Sequence, residues 1–111
     1  MLDLSLTVTA ENDSLRFALV VSNPATEPVT LTFRTGQRAE FTVHETDDGV
    51  VWRYGEGRLF TQAIETETLD PGGTATYAAT WTDPSTGRYR VIGELLAEEA
   101  TGTAVAAVTV S

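Results

Sequence analysis

Apolar and polar residues alternate along most of this chain with a period of two, the spacing of strands that bury one face. Leu2, Leu4, Leu6 and Val8 fall on one side of the first segment, with Asp3, Ser5, Thr7 and Thr9 on the other. After the Glu11-Asn12-Asp13 turn, Leu15, Phe17, Leu19 and Val21 face inward. Asn23-Pro24 closes that segment and Pro28 reopens the chain, because proline fixes φ and has no N–H to give to a ladder. Val29, Leu31 and Phe33 follow on a core face. Ala39, Phe41 and Val43 then alternate with Glu40, Thr42 and His44, and Asp48-Gly49 signals a tight turn into Val50, Trp52 and Tyr54. A break at Gly55 to Gly57 and an irregular stretch lead to a turn over Leu69-Asp70-Pro71-Gly72-Gly73. Ala75, Tyr77, Ala79 and Trp81 make the next inward face, and Asp83-Pro84-Ser85-Thr86-Gly87 turns the chain into Tyr89, Val91, Gly93 and Leu95. Glu99 to Thr103 forms the last turn before Ala104 to Val110.

This pattern predicts no helices. Eight or nine short strands with turn signals about every ten residues predict an all-β fold, an antiparallel β-sandwich that is immunoglobulin-like in the broad sense. Gly87-x-Tyr89-x-Val91 matches the start of a late strand in such sandwiches, where a tyrosine hydroxyl ties a corner back to the backbone. A closed barrel is the rival, since alternation does not distinguish two packed sheets from one closed on itself. The 111 residues fit one domain, 1–111, large enough to bury a core of its own.

Charge narrows the partners. Acidic residues number 16 against 7 basic, all seven of them arginine, for a net charge of −9. Such a chain repels nucleic-acid phosphates and anionic lipid, so neither is an expected partner. The acids form no tail: Glu11, Asp13, Glu27, Glu40, Asp47, Asp70 and Glu98 are spread over turns and alternating positions. An acidic shell without lysine is the composition expected of a halophilic, high-salt cytoplasm, where screening removes carboxylate self-repulsion. The first residues, MLDLSLTVTAE, lack the basic start and continuous apolar stretch of a secretory signal, and no run approaches the ~20 apolar residues of a membrane span. A cytoplasmic address follows as the expectation. With no cysteine, neither disulfides nor thiolate chemistry is available.

Catalytic chemistry is hard to assemble from these residues. The one histidine, His44, falls on the polar side of its strand, and no Gly-x-Ser-x-Gly elbow supplies a nucleophile beside it. Asp47-Asp48-Gly49 is too short for a calcium loop, and Gly55-Glu56-Gly57 lacks the helix N-terminus that lets a glycine loop cradle phosphate. We therefore expect no catalytic residues, no metal and no cofactor. Recognition by loops on a rigid scaffold remains. Two loops break the alternation. One is GEGRLFTQ, Gly55 to Gln62, where two glycines precede the adjacent large side chains of Arg58, Leu59 and Phe60. The other is RTGQR, with Arg34, Thr35, Gly36 and Gln37 joining two core strands.

The region from Phe33 to Ala63 resembles the intracellular proteinase inhibitor family of the BsuPI type. Phe33, Gly36 and Gln37 before a strand, Gly49 at a turn, Val51-Trp52-Arg53, and Phe60-Thr61-Gln62 carry the likeness. It extends more weakly to Val21, Asn23, Pro28, Leu31, the Leu69 to Gly72 turn and Tyr77 to Trp81. Two positions depart from the pattern: Tyr54 stands where relatives often carry a second Trp, and Gly55-Glu56 where a Ser is common. The resemblance implies an inhibitor that binds a subtilisin-like serine protease one-to-one as a monomer. The resemblance does not fix the contact loop; the broken alternation makes Gly57, Arg58, Leu59, Phe60, Thr61 and Gln62 the first candidate, with Leu59 or Phe60 filling an apolar primary pocket. Arg34, Thr35, Gly36 and Gln37 form a second candidate loop. In the structural reading of the same residues, Phe60, Thr61 and Gln62 only anchor a loop to the core, as Trp52 and Trp81 anchor their strands. The alternative function is a non-inhibitory protein-binding module, or an assembly domain that adds a strand at the N-terminal or C-terminal edge.

Overall fold

The computed structural model describes residues 2–45 and 49–111. Among them are nine strands and no helix: β1 (Asp3–Glu11), β2 (Ser14–Ser22), β3 (Val29–Phe33), β4 (Ala39–Glu45), β5 (Val50–Arg53), β6 (Glu65–Leu69), β7 (Thr74–Thr82), β8 (Gly87–Leu96) and β9 (Thr101–Val110). All pairings are antiparallel. One sheet runs β1-β2-β7, another β5-β4-β8-β9, and β3 pairs with β6 as a two-stranded ribbon. No ladder joins β1 to β9 among the described residues, so the sheets stay separate and the architecture is a sandwich. Side chains close the gap instead, because a methyl placed on Gly102 would meet Leu4 Cδ2 at 3.3 Å.

The core lies where alternation places it. Leu15, Phe17, Leu19 and Val21 of β2 pack against Phe41 and Val43 of β4, Val91 and Leu95 of β8, and Leu31 and Phe33 of β3. Tyr89 is buried and its hydroxyl donates to the Ser85 carbonyl at 2.6 Å, the corner tie that the Gly87-x-Tyr89 spacing signals. Trp52 and Trp81 are half-buried and stack on each other, with centroids 5.9 Å apart. Asn12, with φ of 38°, turns β1 into β2, a left-handed conformation that asparagine tolerates.

Two expectations need refining at the β4–β5 hairpin. Asp47 and Asp48 of the expected turn lie outside the described residues; on either side of them the Glu45 N–H donates to the Gly49 carbonyl at 2.9 Å. The ladder also carries a bulge: Val43 pairs with Trp52 but His44 with Val50, leaving Val51 as the extra residue. The bulge breaks the alternation, and both Val50 and Val51 are exposed while Trp52 still turns inward.

Candidate functional site

Beyond β5 the chain leaves the sheet, and Gly57, at φ +77°, supplies the left-handed residue that folds it back. The Gly55 N–H donates to the Glu40 carboxylate at 2.8 Å, which fixes the start of this turn on β4. Residues 58–64 then run without strand or helix until β6. Leu59 is 100% exposed. Its two neighbours are not free: the Arg58 guanidinium lies 4.5 Å above the centre of the Tyr54 ring, and Phe60 packs on the same ring at 6.1 Å. Tyr54 in turn stands edge-on to the buried Phe41, 6.1 Å away, and its N–H donates to the Phe41 carbonyl at 2.9 Å. A ring contact of this kind is worth about 0.5–1.5 kcal/mol beyond area burial and the exposed cation–π contact about 0.5–1 kcal/mol. Together they restrict Arg58 and Phe60 to the Tyr54 side of the loop.

The two candidate loops meet. The Gly36 N–H donates to the Thr61 carbonyl at 2.9 Å, and a methyl on Gly36 would lie only 2.8 Å from Thr61 Oγ1. Thr35 Oγ1 accepts from the Gln37 N–H at 3.1 Å, and Gln37 Nε2 donates to the Ala39 carbonyl at 3.0 Å. Arg34 forms an ion pair with Glu98 in the β8–β9 connection. That connection is stitched to β3, because the Glu98 N–H donates to the Thr32 carbonyl at 2.9 Å and Glu99 accepts from the Thr32 N–H at 2.7 Å. Gln62 stays exposed, with Nε2 turned to the Phe60 carbonyl. Phe60 thus packs on the Tyr54 ring, while Leu59 and, further along the same stretch, Ile64 are exposed.

Behind the loops, Arg38 spans β6 with bonds to Glu65 at 2.9 Å and Glu67 at 2.8 Å, and its guanidinium covers the Phe33 ring at 4.7 Å. The Tyr77 hydroxyl donates to Glu67 at 2.6 Å. Burial first, and then the bond to Glu67, push that hydroxyl well above the ordinary tyrosine value. An open groove of about 230 Å³ lies between the loops and this network, lined by Gln37, Arg38, Phe41, Tyr54, Phe60 and Tyr77. Sequence spacing singles out neither Glu40 nor the double role of Tyr54, since the contacts of Tyr54 with positions four and six residues on exist only because Gly57 reverses the chain.

The paired loops, 34–37 and 57–62, contain no histidine, cysteine, aspartate or glutamate. No group of three such residues able to hold a metal occurs among the described residues. His44 lies half-buried on the outward side of β4, away from both loops in sequence.

A family model described as "BsuPI: Intracellular proteinase inhibitor" matches residues 2–100. No curated protein matches the chain. Among solved structures, the chain is similar to a β-glucosidase from Kluyveromyces marxianus in complex with glucose, with a TM-score of 0.56 and 12% identity. The match covers 100% of this chain but 14% of the β-glucosidase. It is also similar to the CARDB domain of the PF1109 protein from Pyrococcus furiosus, in complex with di-metal ions, with a TM-score of 0.55 and 15% identity over 100% of this chain and 88% of that one. At such identities the likeness shows the immunoglobulin-like fold alone.

Proposed function

The chain belongs to the intracellular proteinase inhibitor family of the BsuPI type, and from that premise we propose that it restrains a subtilisin-like serine protease of the cytoplasm by one-to-one binding through Gly57 to Gln62. The family is one of inhibitors, not enzymes. The observation that carries the reading is a fully exposed Leu59 between two neighbours fastened to the scaffold. Entering the protease groove, residues 58–60 would add an extended segment beside the enzyme's own strand, and Leu59 would fill its apolar primary pocket. Burying a leucine side chain contributes about 1.5–3 kcal/mol. Because the loop is ordered beforehand, little of that gain is lost to ordering it on binding. Arg34 to Gln37 support the loop from behind, and the molecule acts as a monomeric sandwich over its whole length. We also assign it to a high-salt cytoplasm, on the strength of its lysine-free acidic surface.

Titration of a subtilisin-type serine protease with the folded protein in high salt tests this. Stoichiometric loss of peptide hydrolysis is expected, and Leu59→Asp should weaken it at least about 100-fold, since it puts a charge in an apolar pocket. The substitution should leave stability within about 0.5 kcal/mol, as expected for an exposed site. Full residual activity with several such proteases would sink the reading. A second reading rests on exposed Val50 and Val51, which give the terminal strand β5 an apolar edge for strand addition by another protein. Under it, Val51→Lys disrupts binding to that protein and Leu59→Asp does not.

A further inference from the structure

In an extended segment, successive side chains point to opposite sides, so residues i and i+2 share a face and i+1 takes the other. Residues 58–60 follow that rule around one ring: Arg58 and Phe60 both turn to Tyr54, and Leu59 is left pointing into solvent. The ring cannot yield easily, because it rests on the buried Phe41 and on Trp52, with centroids 6.1 and 6.4 Å away. One residue past Phe60, the Thr61 carbonyl is held by the Gly36 N–H. From this geometry we infer that Tyr54 is a positioning residue for the inhibitory contact: it grips the chain on both sides of the Leu59–Phe60 peptide bond, with Gly36 as the downstream tether. The inference rests on the inhibitory role proposed above.

The grip has a chemical consequence. If the protease serine attacks the Leu59 carbonyl, an ester bond forms from its oxygen, the C–N bond to Phe60 breaks, and the serine proton passes to the departing Phe60 amine. In an ordinary peptide substrate that amine diffuses away. Here Phe60 stays on Tyr54 and Thr61 stays on Gly36, so the amine remains beside the ester and re-forms the amide, returning the proton to the serine. Cleavage is thereby kept reversible, and the intact loop persists in the complex.

The test combines two readouts on the wild type, Tyr54→Ala and the conservative Tyr54→Phe. The first is titration of a subtilisin-type serine protease in high salt, followed for hours by peptide hydrolysis and by the mass of the added protein. The second, with no protease present, is amide hydrogen exchange at Gly36, the donor of the tether. Tyr54→Ala is expected to inhibit at least about tenfold more weakly, the loss matching two missing ring contacts. It should also be cut after Leu59 with recovery of protease activity, and exchange faster at Gly36, while Tyr54→Phe behaves as wild type. Should Tyr54→Ala fail to fold, Gly36→Ala takes its place, since its added methyl would press on Thr61 Oγ1 at 2.8 Å and meet Phe60 Cβ only at an ordinary 3.9 Å, leaving the rings themselves in place; the same conversion to a substrate is expected. Unchanged exchange at Gly36 in Tyr54→Ala overturns the grip, whatever the inhibition. Faster exchange with undiminished, lasting inhibition overturns the positioning role. A wild type that inhibits none of the proteases removes the functional reading and the positioning role with it, while the exchange data still report whether the grip exists.

Discussion

Asn23 is the fully buried polar side chain of the core among the described residues, 1% exposed at the end of β2. Its Nδ2 donates to the carbonyls of Glu27 at 2.9 Å and Leu69 at 3.1 Å, and its Oδ1 accepts from the Ala25 N–H at 3.0 Å. One side chain thus closes the Pro24–Pro28 loop and ties it to the turn after β6. Asn23→Ala leaves these partners unsatisfied and is expected to cost about 2–4 kcal/mol in urea unfolding. Asn-Pro marks the turn in the sequence, but nothing local shows that the amide reaches a carbonyl 46 residues away. Tyr77 shows the same limit. Alternation turns it inward, but its hydroxyl meets Glu67 across the fold and is held protonated by burial and by that bond. Below the ordinary tyrosine value of 10.0 the hydroxyl is neutral folded or unfolded, and above it only the unfolded chain ionises. Stability should therefore fall as pH rises past about 10, and Tyr77→Phe should flatten that alkaline limb in denaturant midpoints taken across the range. An unchanged slope would show that another group governs it.

At the level of elements, the β8–β9 connection decides how firmly the rear loop is held. Glu99 accepts from both the hydroxyl and the N–H of Thr32 on β3, and these bonds, the hydroxyl's first, hold its carboxyl below the ordinary value of 4.5. A depressed folded-state value adds stability above the ordinary one and loses it as pH falls from there through the folded value. Stability should thus decline below about pH 4.5 less steeply in Glu99→Gln than in wild type, and the Thr32 amide should exchange faster in the variant. The strands themselves are legible in the sequence because each core residue recurs every second position, as Phe41 and Val43 do on β4. The β5 bulge is not legible, since Val50-Val51-Trp52 fits two registers and only pairing with Val43 and His44 selects one. The two loops read as rivals in the sequence because the whole β4–β5 hairpin separates them. The fold makes them one surface, through a single bond from Gly36 to Thr61.

For the whole molecule, the charge of −9 is carried by exposed side chains at turns and outward positions, such as Asp13, Glu27, Asp70 and Asp83, with Arg38 drawn inward to Glu65 and Glu67. Mutual repulsion among the exposed acids opposes the compact state and is screened within roughly 3 Å at 1 M salt, against 10 Å at 0.1 M. The melting temperature should therefore rise between low and molar sodium chloride, and a flat or falling curve would contradict the high-salt assignment. The sequence by itself determines the class of fold, the core and the kind of chemistry excluded, because two-residue periodicity, turn residues and composition are local properties that act wherever the chain lies. It also carries the family likeness, through Phe33-x-x-Gly36-Gln37, Val51-Trp52-Arg53 and Phe60-Thr61-Gln62. Only the tertiary structure decides between sandwich and barrel, joins the two loops, and turns Phe60 inward and Leu59 out. The first two depend on contacts between residues distant along the chain, and the third on the ring that Arg58 and Phe60 find four and six residues back once Gly57 has reversed the backbone, so strand periodicity encodes none of them.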